Sequence, residues 1–183
     1  MAFPNSVPKS TIQYTPRSPE HAAIVGMLYL TGALAANRLR PPDRPAVTSY
    51  LASARAMLPL ARGGIDEYGL MFNAVNVWQW RLALALESHD IRTAEDALAH
   101  IDARDIHTVP RLAAYYVDLA RFYSETSRDT QAVRMLLLAN QIAPEYRAHH
   151  SGVWAVIAQI GRRNSSALVS AQLRRLQANQ MSN

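Results

Sequence analysis

Apolar residues recur along the chain with the three- and four-residue spacing of helices that bury one face. In one clear case Val75, Trp78, Leu82 and Ala85 lie at positions i, i+3, i+7 and i+10, which is a single face of a helix. No stretch alternates between apolar and polar residues for long enough to predict a strand. The pattern therefore predicts an all-α protein.

Start and stop signals divide this pattern into eight predicted helices. Ser18 before Pro19 is a helix start, because a serine oxygen caps the first N–H groups and proline suits the first turn. The adjacent Gly63 and Gly64 mark the end of the second helix. The predicted helices cover residues 18–39, 43–62, 73–88, 91–101, 110–126, 129–143, 151–163 and 165–178.

A short lead precedes this helical region. Residues 1–17 contain Pro4, Pro8 and Pro16, a composition that favours an extended or disordered segment. Residues 18–179 are then expected to form a single helical domain. The uncharged run 22–36 is similar to a secretory signal, but the segment before it is long and contains prolines, and Glu20 and His21 lie directly against the run. Fifteen residues are also too few to span a bilayer, so a buried core helix is the preferred interpretation.

Residues 116–144 resemble a tetratricopeptide repeat, in which two antiparallel helices cross at small side chains. The matching residues are Tyr116, Leu119, Ala120, Tyr123, Ala132, Leu136, Ala139 and Pro144. Helix backbones approach closely only where side chains are small. The preceding helix pair follows the same pattern 38 residues earlier, with Arg81 where leucine is usual. The resemblance implies hairpins stacked as a short right-handed superhelix, and a plain helical bundle is the alternative.

A second resemblance begins at about residue 22 and covers about 155 residues. The segments that carry it are LYLTGALAA (28–36), FNAVNVWQWRLALALESHD (72–90), YYVDLARFYSE (115–125) and AVRMLLLANQIAPE (132–145). They are similar to the C-terminal, tetratricopeptide-like half of bacterial Xre-type helix-turn-helix transcription regulators. That family implies a sensor or interaction module in transcription regulation. Residues 1–17 hold no counterpart of its DNA-binding domain, so we expect a stand-alone relative or a fragment of a longer regulator.

The charge of the chain permits a nucleic-acid partner but does not favour one. The net charge is +5, and only one of the nineteen basic residues is a lysine. Arginine in such excess suits forked contacts to carboxylate or phosphate. Because the basic residues are dispersed, we expect no direct DNA binding. The absence of cysteine suits a reducing compartment, and we expect a cytoplasmic protein with no membrane partner.

Catalytic and metal-binding motifs are missing from the sequence. The six histidines show no metal-ligand spacing, and no G-x-S-x-G or glycine-rich phosphate loop occurs. The sequence therefore predicts a non-enzymatic protein without a metal or cofactor.

A concave groove provides the first functional hypothesis, because the first helix of each hairpin lines that face of a repeat superhelix. The polar and aromatic residues expected there are Asn73, Asn76, Gln79, Trp80, Asp118, Arg121 and Ser124. Asparagine amides form hydrogen bonds with peptide backbones, and arginine binds a carboxylate through two parallel hydrogen bonds. A peptide or protein partner is therefore the first hypothesis. The second is a small-molecule sensor with an apolar pocket between helices. The terminal helices would cap the stack or form a homodimer.

Overall fold

The computed structural model describes residues 15–61, 72–144, 151–163 and 166–178, and these are helical without any strand, as predicted. Residues 1–14 of the predicted N-terminal extended segment lie outside the described residues. The described α-helices are α1 (Pro19–Asn37), α2 (Arg44–Ala61), α3 (Ala74–Glu87), α4 (Ile91–Leu98), α5 (Val109–Glu125), α6 (Asp129–Ile142), α7 (Ser151–Gly161) and α8 (Ala167–Ala178), with a 3-10 turn at Ala103–Asp105. None of the described helices combines the length and apolar character needed to cross a bilayer.

The predicted helix start at Ser18 is confirmed, because its hydroxyl accepts a hydrogen bond from the His21 N–H over 3.2 Å. Three predicted helix ends lie two or three residues too late. The first helix ends at Asn37 rather than residue 39, and the seventh predicted helix ends at Gly161 rather than residue 163. The fourth ends at Leu98 rather than residue 101, and the 3-10 turn that follows was not predicted. The carboxylate of Asp102 caps that turn, which gives the chain a local alternative to continued helix.

The turns that join α3 to α4 and α5 to α6 have the same geometry 38 residues apart. His89 and Ser127 adopt positive φ angles of 53° and 59°. In both turns the following N–H donates to the carbonyl oxygen five residues earlier, over 2.9 Å from Asp90 and 2.8 Å from Arg128. This closes the preceding helix in the manner of a Schellman motif. The 38-residue period of the sequence is therefore also a period of backbone geometry.

Odd-numbered helices lie side by side in chain order, and each of α2, α4 and α6 packs on the helix before it. Near the starts of α3 and α5, the Gln79 side chain donates to the Arg111 carbonyl over 3.3 Å. Near their ends, His89 contacts Glu125 over 3.2 Å. These two contacts show that α3 and α5 run in the same direction.

Three apolar clusters fill the spaces between neighbouring helices. The first joins α1 and α2 to Phe72 and α3, the second joins α3, α4 and α5, and the third joins α5 through α8. Ala120 of α5 and Ala132 of α6 are both fully buried in the third cluster. Small side chains from both α5 and α6 are therefore buried in this cluster, and small side chains permit helix backbones to approach closely.

Candidate functional site

A groove of about 340 Å³ lies between the first two hairpins. Its lining combines Asn37 of α1, side chains of α2 and α3, and Thr93 of α4. The apolar part of the lining consists of Val47, Leu51, Ala52, Val77, Leu84 and Ala85. The groove is thus partly apolar, and polar groups lie at its two ends.

Trp78 is the aromatic residue in the lining of this groove. Its ring stacks on the His100 imidazole with centroids 4.0 Å apart. The guanidinium carbons of Arg55 and Arg81 lie 5.1 and 5.2 Å from the indole centroid, within the range of a cation–π contact. Arg81 also pairs with Asp96 of α4 over 3.0 Å. These contacts fix the orientation of the indole and concentrate positive charge beside it.

The opposite end of the groove contains a hydrogen-bonded network that joins α1 to α3. The Asn37 amide accepts from the Ser88 hydroxyl over 2.7 Å and donates to the Leu84 carbonyl over 3.4 Å. Asp90 accepts from the backbone N–H and hydroxyl of Thr93 over 3.1 and 2.8 Å. These bonds hold the pKa of Asp90 below its usual value. The carboxylate is therefore ionised and engaged at neutral pH.

The predicted ligand residues on α3 have structural partners or lie inside the protein. Asn73 caps α3 by accepting from the Asn76 N–H over 2.8 Å, and Gln79 bridges to α5. Trp80 packs against the first apolar cluster. Asn76 is only 2% exposed, and neither atom of its amide has a hydrogen-bond partner among the described residues. Such an orphaned amide costs about 1–3 kcal/mol unless water or a ligand satisfies it.

The predicted ligand residues on α5 are also largely enclosed. Asp118 and Arg121 form an ion pair over 3.3 Å, with 15% and 22% of their side chains exposed. Burial raises the pKa of Asp118 from 3.8 to about 6, although Arg121 opposes the shift. Ser124 is fully buried, and its hydroxyl has no partner within the described part of the chain.

None of the seven predicted ligand residues lines the groove. The sequence pattern places Trp78 on an apolar helix face and gives no functional signal for Arg55. One sequence signal did point to the groove, because Arg81 occupies a position where the repeat pattern has leucine. The side chains of Arg55, Trp78 and Arg81 meet across two hairpins, which helical spacing within one hairpin does not reveal.

The described residues contain no group of three histidine, aspartate or glutamate side chains that could hold a metal ion. The groove is instead suited to non-covalent binding, because it combines arginine side chains with an aromatic ring on a helical scaffold. Comparisons with known proteins gave no match, whether to a family model, a curated protein or a solved structure. The resemblance to Xre-type regulators therefore stays a prediction from the sequence.

Proposed function

We propose that this chain is a non-enzymatic binding module with a regulatory role, and that it binds a small organic molecule in the groove between its first two hairpins. The observation that supports this proposal is the groove itself. Its volume of about 340 Å³ is within the range of small-ligand sites, which combine apolar walls with a few polar groups. The regulatory role rests on the resemblance to transcription regulators.

A groove-filling substitution tests the proposal. Ala52 is exposed on α2 and lines the groove, so Ala52→Trp should occupy the space of a ligand. Ala56 lies one turn further along α2, is also exposed and does not line the groove, which makes Ala56→Trp the matched control. A metabolite library is screened by thermal unfolding. Compounds that stabilise the native chain and the Ala56→Trp variant should leave the Ala52→Trp variant unchanged.

The opposite outcome is equally clear. If no compound stabilises the native chain, or if hits stabilise the Ala52→Trp variant equally well, the groove is not the binding site.

A peptide or protein partner along α3 and α5 is the second candidate. The observation in its favour is that the buried Asn76 amide and Ser124 hydroxyl have no partners among the described residues, since amides and hydroxyls can bond a peptide backbone. Because both residues are almost fully buried, a peptide would reach them only after neighbouring side chains move. A peptide array decides between the candidates: binding that survives Ala52→Trp and is lost in Arg121→Ala favours the peptide.

A further inference from the structure

Positive charge exceeds negative charge in the lining of the groove. Three arginines line it, namely Arg44, Arg55 and Arg81, against the single carboxylate of Asp90. Arg81 already pairs with Asp96. Arg55 is exposed and has no carboxylate at salt-bridge distance within the described part of the chain. One guanidinium beside the groove is thus available to a ligand anion.

The excess charge is not spread evenly along the groove. Arg44 precedes Arg55 by eleven residues on α2, which is about 16 Å along a helix axis. At the Arg44 end lies the ionised Asp90, whose pKa is lowered in part by Arg44. At the other end, Arg55 and Arg81 both lie about 5 Å from the ring centroid of Trp78. The guanidinium of Arg55 and the indole of Trp78 therefore lie at one end of the groove, and the carboxylate of Asp90 lies at the other.

Between these ends the groove is apolar. Leu51 of α2 and Val77 and Leu84 of α3 all line it. A ligand that extends from the Trp78 end along the groove would bury an apolar body against these side chains, which is favourable because apolar surface leaves water. The same ligand would present its polar head to the guanidinium groups.

We infer that the groove binds an amphipathic organic anion, with a carboxylate or phosphate head beside Arg55 and Arg81 and an apolar body along Leu51, Val77 and Leu84. This inference rests on the proposed function and adds the ligand's chemical class and orientation. Guanidinium donates forked, charge-assisted hydrogen bonds to either head group. Both guanidinium groups lie about 5 Å from the same indole ring, so a head group that binds them is held at this end of the groove.

Four probes with the same eight-carbon chain and different heads test the inference: octanoate, octyl phosphate, octylamine and octanol. Calorimetric titration of the whole chain should show binding of at least one anion and no binding of octylamine. The stronger of the two anions identifies the preferred head. Arg55→Gln should weaken anion binding by at least about tenfold, the loss expected for one charge-assisted hydrogen bond.

Arg92→Gln is the matched control, because it removes the same charge from an exposed residue of α4 that does not line the groove. It should leave anion affinity unchanged. The inference is wrong if neither anion binds, if octylamine or octanol binds as tightly, or if Arg55→Gln and Arg92→Gln act alike. Should library compounds still lose binding in Ala52→Trp under those outcomes, the proposed function survives and only the anionic preference fails.

Discussion

Gly26 of α1 lies directly against the ring of Phe72, and this contact gives a sharp test of the packing between α1 and the residues that precede α3. A Cβ atom at Gly26 would meet three ring atoms of Phe72, two of them at 2.5 and 2.6 Å. Phe72 is only 1% exposed, so its ring has little room to move. We therefore expect Gly26→Ala to destabilise the protein even though alanine is the better helix former.

The magnitude follows from two opposing effects. Replacing a mid-helix glycine by alanine stabilises by about 0.5–1 kcal/mol, whereas overpacking a well-packed core costs typically about 1–3 kcal/mol. The steric cost should prevail, which gives a net loss of up to about 2.5 kcal/mol and of about 1 kcal/mol from the middle of each range. For a chain of this size, each kilocalorie lowers the unfolding temperature by about 2–4 °C.

Gly32→Ala is the matched control on the same helix. Its Cβ would approach the Tyr50 ring at 3.2–3.3 Å, and Tyr50 is 37% exposed, so this ring can shift toward solvent. We expect Gly32→Ala to be neutral or stabilising by up to about 0.5–1 kcal/mol.

Urea unfolding followed by circular dichroism measures both variants, with Phe72→Leu as a third background. The smaller side chain at residue 72 should reduce the cost of Gly26→Ala, and the difference is the coupling energy of a double-mutant cycle. If Gly26→Ala is as stable as Gly32→Ala, or if Phe72→Leu does not change its cost, the steric explanation is refuted.

Two further predictions concern charged side chains. Burial raises the pKa of Asp118 in the folded protein from 3.8 to about 6, so the native state binds this proton more tightly than the unfolded chain does. The free energy of unfolding should therefore fall by about 1–3 kcal/mol as pH rises from about 4 to 6. Asp118→Asn should remove most of this pH dependence when the free energy of unfolding is measured in urea between pH 4 and 6. A variant whose stability depends on pH as steeply as that of the native chain would show that Asp118 is not the group responsible. Arg163 after α7 donates to the Ser124 carbonyl and, over 2.9 Å, to Asp129. Arg163→Gln should cost about 1–2 kcal/mol and speed hydrogen exchange in α7, whereas unchanged exchange would exclude an anchoring role.

The helices were predictable because their signals are local. Ser18 and Pro19 fix the start of α1 through groups within one turn of each other. The turns at His89 and Ser127 are local in the same sense, because a hydrogen bond between backbone groups only five residues apart closes each of them. Where a local signal competed with the apolar pattern, as at Asp102 after α4, the cap prevailed and the predicted end was too late.

The site was less predictable, because it depends on how separate hairpins meet. The sequence predicts that Asn76 and Ser124 are polar residues lining a groove, yet both are almost fully buried. Spacing assigns a residue to a helix face but does not determine how closely the neighbouring helix covers that face. Arg55 and Trp78 come from different hairpins, and only tertiary packing places the Arg55 guanidinium carbon 5.1 Å from the centroid of the Trp78 ring.

Arg81 connects the sequence pattern to the groove. Leu119, the corresponding residue 38 positions later, packs against the second apolar cluster. Arg81 instead keeps 31% of its side chain exposed, pairs with Asp96 and lies over Trp78. A charged residue at a position that a repeat normally fills with an apolar one loses the stability that apolar burial would give. Such local departures tend to occur at functional sites. The departure at Arg81 therefore supports a ligand site in this groove for a reason independent of its volume.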